Sequence, residues 1–182
     1  DILITEATYG NRIHQADHET EVELYNVIKH TCVEKRGKLI IPSFSVGRTQ
    51  EIVYMLNNFY NIGLLPKIDI YVDSPLSVNA TEIFKKHHEC YNDEIVKSLE
   101  NDPEPFDFDT LHYVKSINES KELNTTKKPC IIISASGMAE AGRVKHHIAN
   151  SIENSCNTIM LVGYCAPETL GARIQAKDRV DI

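Results

Sequence analysis

Several absences bound this chain before anything in it is positive. No apolar run approaches the ~20 residues of a membrane-spanning helix, so the sequence carries no bilayer segment. The five cysteines, Cys32, Cys90, Cys130, Cys156 and Cys165, are odd in number, widely spaced and free of any CxxC pair. That pattern suggests neither a disulfide framework nor a cysteine zinc knuckle, and a reducing cytoplasm is the expected compartment. Basic charge is short: 19 Lys and Arg against 26 Asp and Glu leave a formal net charge of −7. A protein that coats nucleic acid through a general surplus of cations has the opposite sign. A secretory leader is not expected, and no repeat of solenoid length appears. The chain opens on strand-like Asp1-Ile2-Leu3-Ile4 and closes on strand-like Arg179-Val180-Asp181-Ile182, as expected of a fragment of something larger.

Familiar catalytic strings are missing too. Gly137 to Gly142 has the glycine spacing of a Walker A loop, but Arg143-Val144 follows where Lys-Ser is required, and no GxGxxG or GxSxG is present. His14 and His18 sit four apart in loop-like sequence without HExxH or HxHxDH. The adjacent pairs His87-His88 and His146-His147 would diverge on a helix and read as surface or edge residues. No metal site is complete within the chain, and a hydrolase complete within 182 residues is not expected.

What is present is the composition of one soluble globular domain over residues 1–182, with 42% hydrophobic and 25% charged residues. A recurrent grammar runs through it. Lys128 to Ile148 gives a buried strand at Cys130 to Ile133, a polar loop with Ser134, Ser136 and Gly137, and a helix from about Ala139 with Val144, Ile148 and Ile152 on one face. Leu39 to Ile41, a loop through Ser43, Phe44, Ser45 and Gly47, and a helix from Arg48 with Ile52, Leu56 and Phe59 repeat it. Asp69 to Val72 leads through Asp73 and Ser74 into a helix near Val78. Thr158 to Val162 leads into a short helix carrying Arg173. Ile2 to Thr5 reads as a strand ending in Glu6, and a helix capped by Thr20 follows with Val22, Tyr25, Ile28 and Cys32 inward. The acidic, proline-containing stretch near residues 102–108 reads as a surface loop, with a brief strand at His112 to Val114 after it.

Continuous apolar strands alternating with amphipathic helices imply an α/β fold: three layers, a mostly parallel sheet and helices on both faces. Right-handed crossovers gather the strand-to-helix loops at one edge, where open parallel sheets take their ligands. Glu6, Ser45, Arg48, Asp73, Ser74, Ser136, Gly137, Arg143 and Thr169 are expected there. Four of the six arginines, Arg12, Arg48, Arg143 and Arg173, follow strands, and a planar guanidinium suits phosphate. An anion held by Ser136, Gly137 and Arg143 is one reading; serines that cap a helix and a solvated arginine are the other. Glu6 is open in the same way, as a catalytic acid or as a cap or ion-pair partner.

Three strings in order resemble one family: Leu3-Ile4-Thr5-Glu6-Ala7-Thr8-Tyr9-Gly10-Asn11-Arg12-Ile13-His14, then Ile41-Pro42-Ser43-Phe44-Ser45-Val46-Gly47-Arg48-Thr49-Gln50-Glu51, then Ser134-Ala135-Ser136-Gly137-Met138-Ala139-Glu140-Ala141-Gly142-Arg143. With Val72-Asp73-Ser74-Pro75-Leu76 between and Gly163-Tyr164 and Gly171 after, nearly the whole chain resembles the β-CASP domain of the metallo-β-lactamase-fold RNases. The likeness is to bacterial and archaeal relatives of the endonuclease subunit of the cleavage and polyadenylation factor. It implies a Rossmann-like lid on a metallo-β-lactamase domain that holds two zinc ions and hydrolyses single-stranded RNA. Glu6 would match the family's orienting acid. Ser45, Arg48, Ser74, Ser136, Gly137 and Arg143 would hold RNA phosphates, and no zinc ligand would fall inside the fragment. Ala7 stands where serine is usual, Ser45 where alanine is frequent, and Glu168 would repel phosphate unless it points away. A homodimer, a nucleotide-binding doubly wound domain and a non-catalytic interaction lid stay open.

Overall fold

Alternation along short isoleucine-rich strands decides the architecture. In the computed structural model, which describes residues 2–11, 13, 17–180 and 182, five strands form one sheet: β1 (Lys38–Pro42), β2 (Asp69–Val72), β3 (Leu111–Tyr113), β4 (Cys130–Ser134) and β5 (Thr158–Ile159). Their order is β3-β2-β4-β1-β5 and every pair is parallel. Leu39 pairs with Ile131, Ile41 with Ile133 and Ile70 with Ile131. Successive side chains of a strand point to opposite faces, so the central strands supply apolar groups to both.

One face carries Leu39, Ile41, Ile70, Val72, Ile131 and Ile133. Against it pack α1 (Asp17–Ile28) through Leu24 and Ile28, α2 (Arg48–Asn61) through Ile52, Leu56 and Phe59, and α3 (Pro75–Phe84) through Val78. The other face carries Ile40, Cys130 and Ile132, covered by Leu123 of α5 (Ile117–Thr125), Val144 and Ile148 of α6 (Arg143–Ala149) and Leu170 of α7 (Leu170–Gln175). The short α4 (Asp93–Ser98) lies between α3 and β3 in the chain. Fully burying one such isoleucine contributes about 1.5–3 kcal/mol, and six of the strand isoleucines are at most 1% exposed. The expected three-layer α/β fold is what forms. Among the described residues no helix is long and apolar enough to cross a membrane.

Several boundaries differ from expectation for identifiable reasons. Ile2 to Thr5 is irregular chain outside the sheet, with Ile2, Leu3 and Ile4 between 88% and 93% exposed. Its apolar pattern matches a strand, but neither edge of this sheet receives it. The first helix begins by Asp17, so Thr20 does not cap it, and a π-helical turn at Lys29–Glu34 continues it. The inward row is Leu24, Ile28 and Cys32, while Val22 is 45% exposed. α3 starts at Pro75, with Ser74 accepting from the Ser77 N–H at 3.2 Å; proline suits the first helical position because its missing N–H would be unpaired there anyway. α6 starts at Arg143 rather than Ala139, and Ile152 falls beyond it. Backbone pairing carries β5 one bond further, Met160 N–H to the Ile40 carbonyl at 2.9 Å, short of Val162. Arg179 and Val180 form no strand, and Asp181 lies outside the described residues.

The cysteines divide by burial. Burial pushes the Cys32 thiol up to about 12 and Cys130 up to about 11, whereas Cys90 is exposed. Because the thiolate is the nucleophile, iodoacetamide at about pH 8, below the ordinary thiol value of about 8.5, should alkylate Cys90. Cys32 and Cys130 should stay unmodified until the chain unfolds, as peptide masses would show.

Candidate functional site

Since all five strands run the same way, the loops at residues 43–47, 73–74, 114–116 and 135–142 and the stretch after β5 leave from one edge of the sheet. Their anchor is Asp73, directly after β2 and fully buried. Its Oδ1 accepts from Arg143 Nη1 at 2.6 Å, and its Oδ2 meets Ser120 Oγ at 2.5 Å and His147 Nε2 at 2.6 Å. The Asp73 backbone is held as well, its N–H donating to the Ile133 carbonyl and its carbonyl accepting from Ser134 Oγ. Burial by itself would raise the Asp73 carboxyl; hydrogen bonds from His147, Ser120 and Arg143 outweigh it and hold the group below its ordinary value.

This network changes what two side chains do. Arg143, expected to grip phosphate, turns its guanidinium inward: besides Asp73 it donates to the Val114 carbonyl at 3.3 Å and the Lys115 carbonyl at 2.9 Å, and its side chain is 18% exposed. It ties the loop after β4 to the loop after β3. His147, read as a surface or edge residue, is 1% exposed and lies between Asp73 and Asn124, with Nδ1 2.7 Å from Asn124 Oδ1. Its neighbour His146, and His87 and His88, are exposed as expected. On a short helix, adjacent residues face different ways, so only one of the pair could meet the core.

Outside this anchor lies a second cluster. Ser45 Oγ and Ser74 Oγ stand 3.3 Å apart, joining the loops after β1 and β2. Buried Gln50 locks them from below: Oε1 accepts from Gly47 N–H at 2.8 Å, and Nε2 donates to the Ser45 carbonyl and to Thr81 Oγ1. The loop after β4 joins them, with the Ser43 N–H donating to the Ser134 carbonyl at 2.9 Å. A groove of about 300 Å³ results, lined by Phe44, Ser45, Val46, Leu76, Ala135 and Ser136. Gly137 sits buried beneath it. Gly142, at φ +82°, turns the loop into α6 where a side chain would collide with the Ala135 carbonyl. Arg48 is the first residue of α2 and pairs with Glu51 at 2.8 Å, both exposed enough for the pair to open readily.

Among the described residues no hydrogen bond or ion pair joins the Glu6 side chain to either cluster. Among the described residues its carboxylate is engaged within its own turn, accepting from the Thr8 N–H at 3.0 Å. Hydrogen bonding from Thr8 keeps it below its ordinary value. The turn is tied to the β5 side of the molecule: Tyr9 Oη accepts from the Tyr164 N–H at 2.9 Å, and the two rings meet edge to face. Arg12, His14 and the side chain of His18 lie outside the described residues. Thr169 caps α7, accepting from the Ala172 N–H, and Arg173 donates to the Arg179 carbonyl. Glu168 is exposed, at φ +73°. Among the described residues no three His, Cys, Asp or Glu side chains gather to hold a metal ion. The Asp73–His147 contact is saturated by Arg143, Ser120 and Asn124, so zinc does not fit there.

Gln50, Asn124 and His147 were not distinguishable from surface residues by periodicity, since each is a polar group on a helix whose partner comes from another part of the chain. Phe44 falls in a resemblance string without a role of its own.

Residues 49–174 match the Beta-Casp domain family. The chain is 33% identical over 178 residues to a ribonuclease of Thermus thermophilus, covering 97% of this chain and 40% of that protein. It is 36% identical over 177 residues to an RNase J-like protein of Methanocaldococcus jannaschii, covering 96% and 40%. An endoribonuclease of Schizosaccharomyces pombe is 31% identical over 175 residues, covering 96% of the chain and 22% of that protein. The chain thus spans less than half the length of these relatives.

Proposed function

This chain belongs to the Beta-Casp domain family, and from that membership we propose that it is the RNA-clamping lid of a nuclease that hydrolyses phosphodiester bonds. The carrying observation is the meeting of the loops after β1, β2 and β4 at one groove, lined by Ser45 and Ser136, with Ser74 joined to Ser45 beneath it and Arg48 two residues beyond Val46. Hydroxyls, the N-terminal ends of α2 and α3 and one releasable guanidinium form a surface for phosphate oxygens. Such contacts position a strand without reading its sequence. A local clamp also reconciles an anionic ligand with the overall charge of −7, because the field at a groove is set by its nearest groups.

Arg143 serves this site indirectly, holding the loop 135–142 against Asp73. The two zinc ions implied for the parent would be held outside the described residues, in a metallo-β-lactamase domain to which this lid would dock. When bound there they would supply the activated water; this chain's share is to orient and retain RNA. In the full-length protein, Arg48→Ala should weaken binding of a single-stranded oligoribonucleotide and flatten the log–log salt dependence by about 0.7, the value of one phosphate contact on a single strand. A wild-type slope would remove Arg48 from the clamp. Stabilisation by a mononucleotide but not by the oligomer would favour a nucleotide-binding domain instead.

A further inference from the structure

We propose that Phe44 is a stacking platform for a nucleobase, so that the groove holds single-stranded RNA by a base as well as by phosphate. This rests on the clamp reading above and names a contact that reading does not require. Phe44 is 46% exposed although only buried Ser43 separates it from a fully buried strand. Its backbone is fixed: the carbonyl accepts from the Thr49 N–H at 3.3 Å and from Thr49 Oγ1 at 2.7 Å. One edge of the ring rests on Gly137, where an added Cβ would come within 2.9 Å of Cδ2 and 3.0 Å of Cε2. An aromatic ring is thus braced on one side by a glycine from a different loop and left open toward the groove. That is how a pre-organised stacking surface is built, with little side-chain entropy left to lose on binding.

The surroundings select the occupant. Val46 and Leu76, 61% and 62% exposed, add apolar surface at the groove's rim, and Ser45 and Ser136 line it with hydroxyls. Ser74 caps the ten-residue α3, and Arg48 opens the fourteen-residue α2. An apolar ring interleaved with hydroxyls, a guanidinium and two positive helix ends complements a chain that alternates flat bases with anionic phosphates.

The test is equilibrium binding by the full-length protein of a single-stranded oligoribonucleotide and of a series in which each position in turn is abasic. Phe44→Ala should weaken binding of the intact oligomer roughly tenfold, the loss of one stacked base, with the salt slope of wild type. One abasic oligomer in the series should bind wild type and Phe44→Ala alike, and Phe44→Trp should bind as wild type. If Phe44→Ala binds as wild type while Arg48→Ala still loses salt dependence, stacking is refuted and the phosphate clamp stands. If Phe44→Ala weakens every oligomer equally, the ring supports the protein and not a base, and the proposal is overturned. If wild type binds no oligomer, the clamp reading and the stacking fall together.

Discussion

Replacing Asp73 with alanine should destabilise the chain by about 3–5 kcal/mol, the range for breaking a buried ion pair by removing one partner. The carboxylate is fully buried, and its loss leaves the Arg143 guanidinium, the His147 ring and the Ser120 hydroxyl facing a void. Urea unfolding would show it as a lower midpoint at unchanged slope. The pH dependence has a defined sign. Asp73 is held below its ordinary value of 3.8 in the folded chain, so on acidification the unfolded chain binds this proton first. The stabilisation is therefore complete above that ordinary value and drains away as pH falls from it through the folded value. The alanine variant should lack this part of the acid-side loss, and an identical acid profile in both proteins would show that Asp73 is not its source.

Glu6→Gln in the full-length protein should lower turnover on RNA roughly 100-fold, the scale of a general acid–base contribution, with the RNA dissociation constant unchanged. Glu6 is exposed and, as a carboxyl held by Thr8 below even its ordinary 4.5, carries its charge at neutral pH. Among the described residues it makes no contact with the serines of the groove, which is why affinity should survive. The role proposed for it is to orient a histidine supplied by the rest of the parent, as the family resemblance implies. Glutamine keeps the length and removes the charge. Single-turnover cleavage at saturating protein separates the two quantities, and equal rates in the two proteins would sink the assignment.

The layered fold was legible because its cause is local: Leu39 to Ile41 and Cys130 to Ile133 announce two-sided burial in their own composition. The shared edge was legible for the same reason, as parallel strands leave no choice of side. The roles within that edge were not. Arg143 follows a glycine-containing loop and looks like a phosphate ligand, yet Asp73, 70 residues away in sequence, claims it. His147 differs from His146 only in the direction it faces on α6, which depends on where that helix begins, a boundary set by Gly142 rather than by the apolar row. Ile2 to Ile4 shows the converse limit, since a pattern suited to a strand says nothing about which sheet accepts it.

The Asp73 junction also divides the rim into what sequence drift can touch and what it cannot. Ser120, Arg143 and His147 must all fit one carboxylate at once, so exchanging any of them alone leaves the buried Asp73 carboxylate short of a partner. Val46 and Leu76 meet no such demand and stand in water. Descendants of this chain could therefore retune what the groove prefers by altering its outer tips one at a time, while the scaffold beneath would change only by several coordinated replacements.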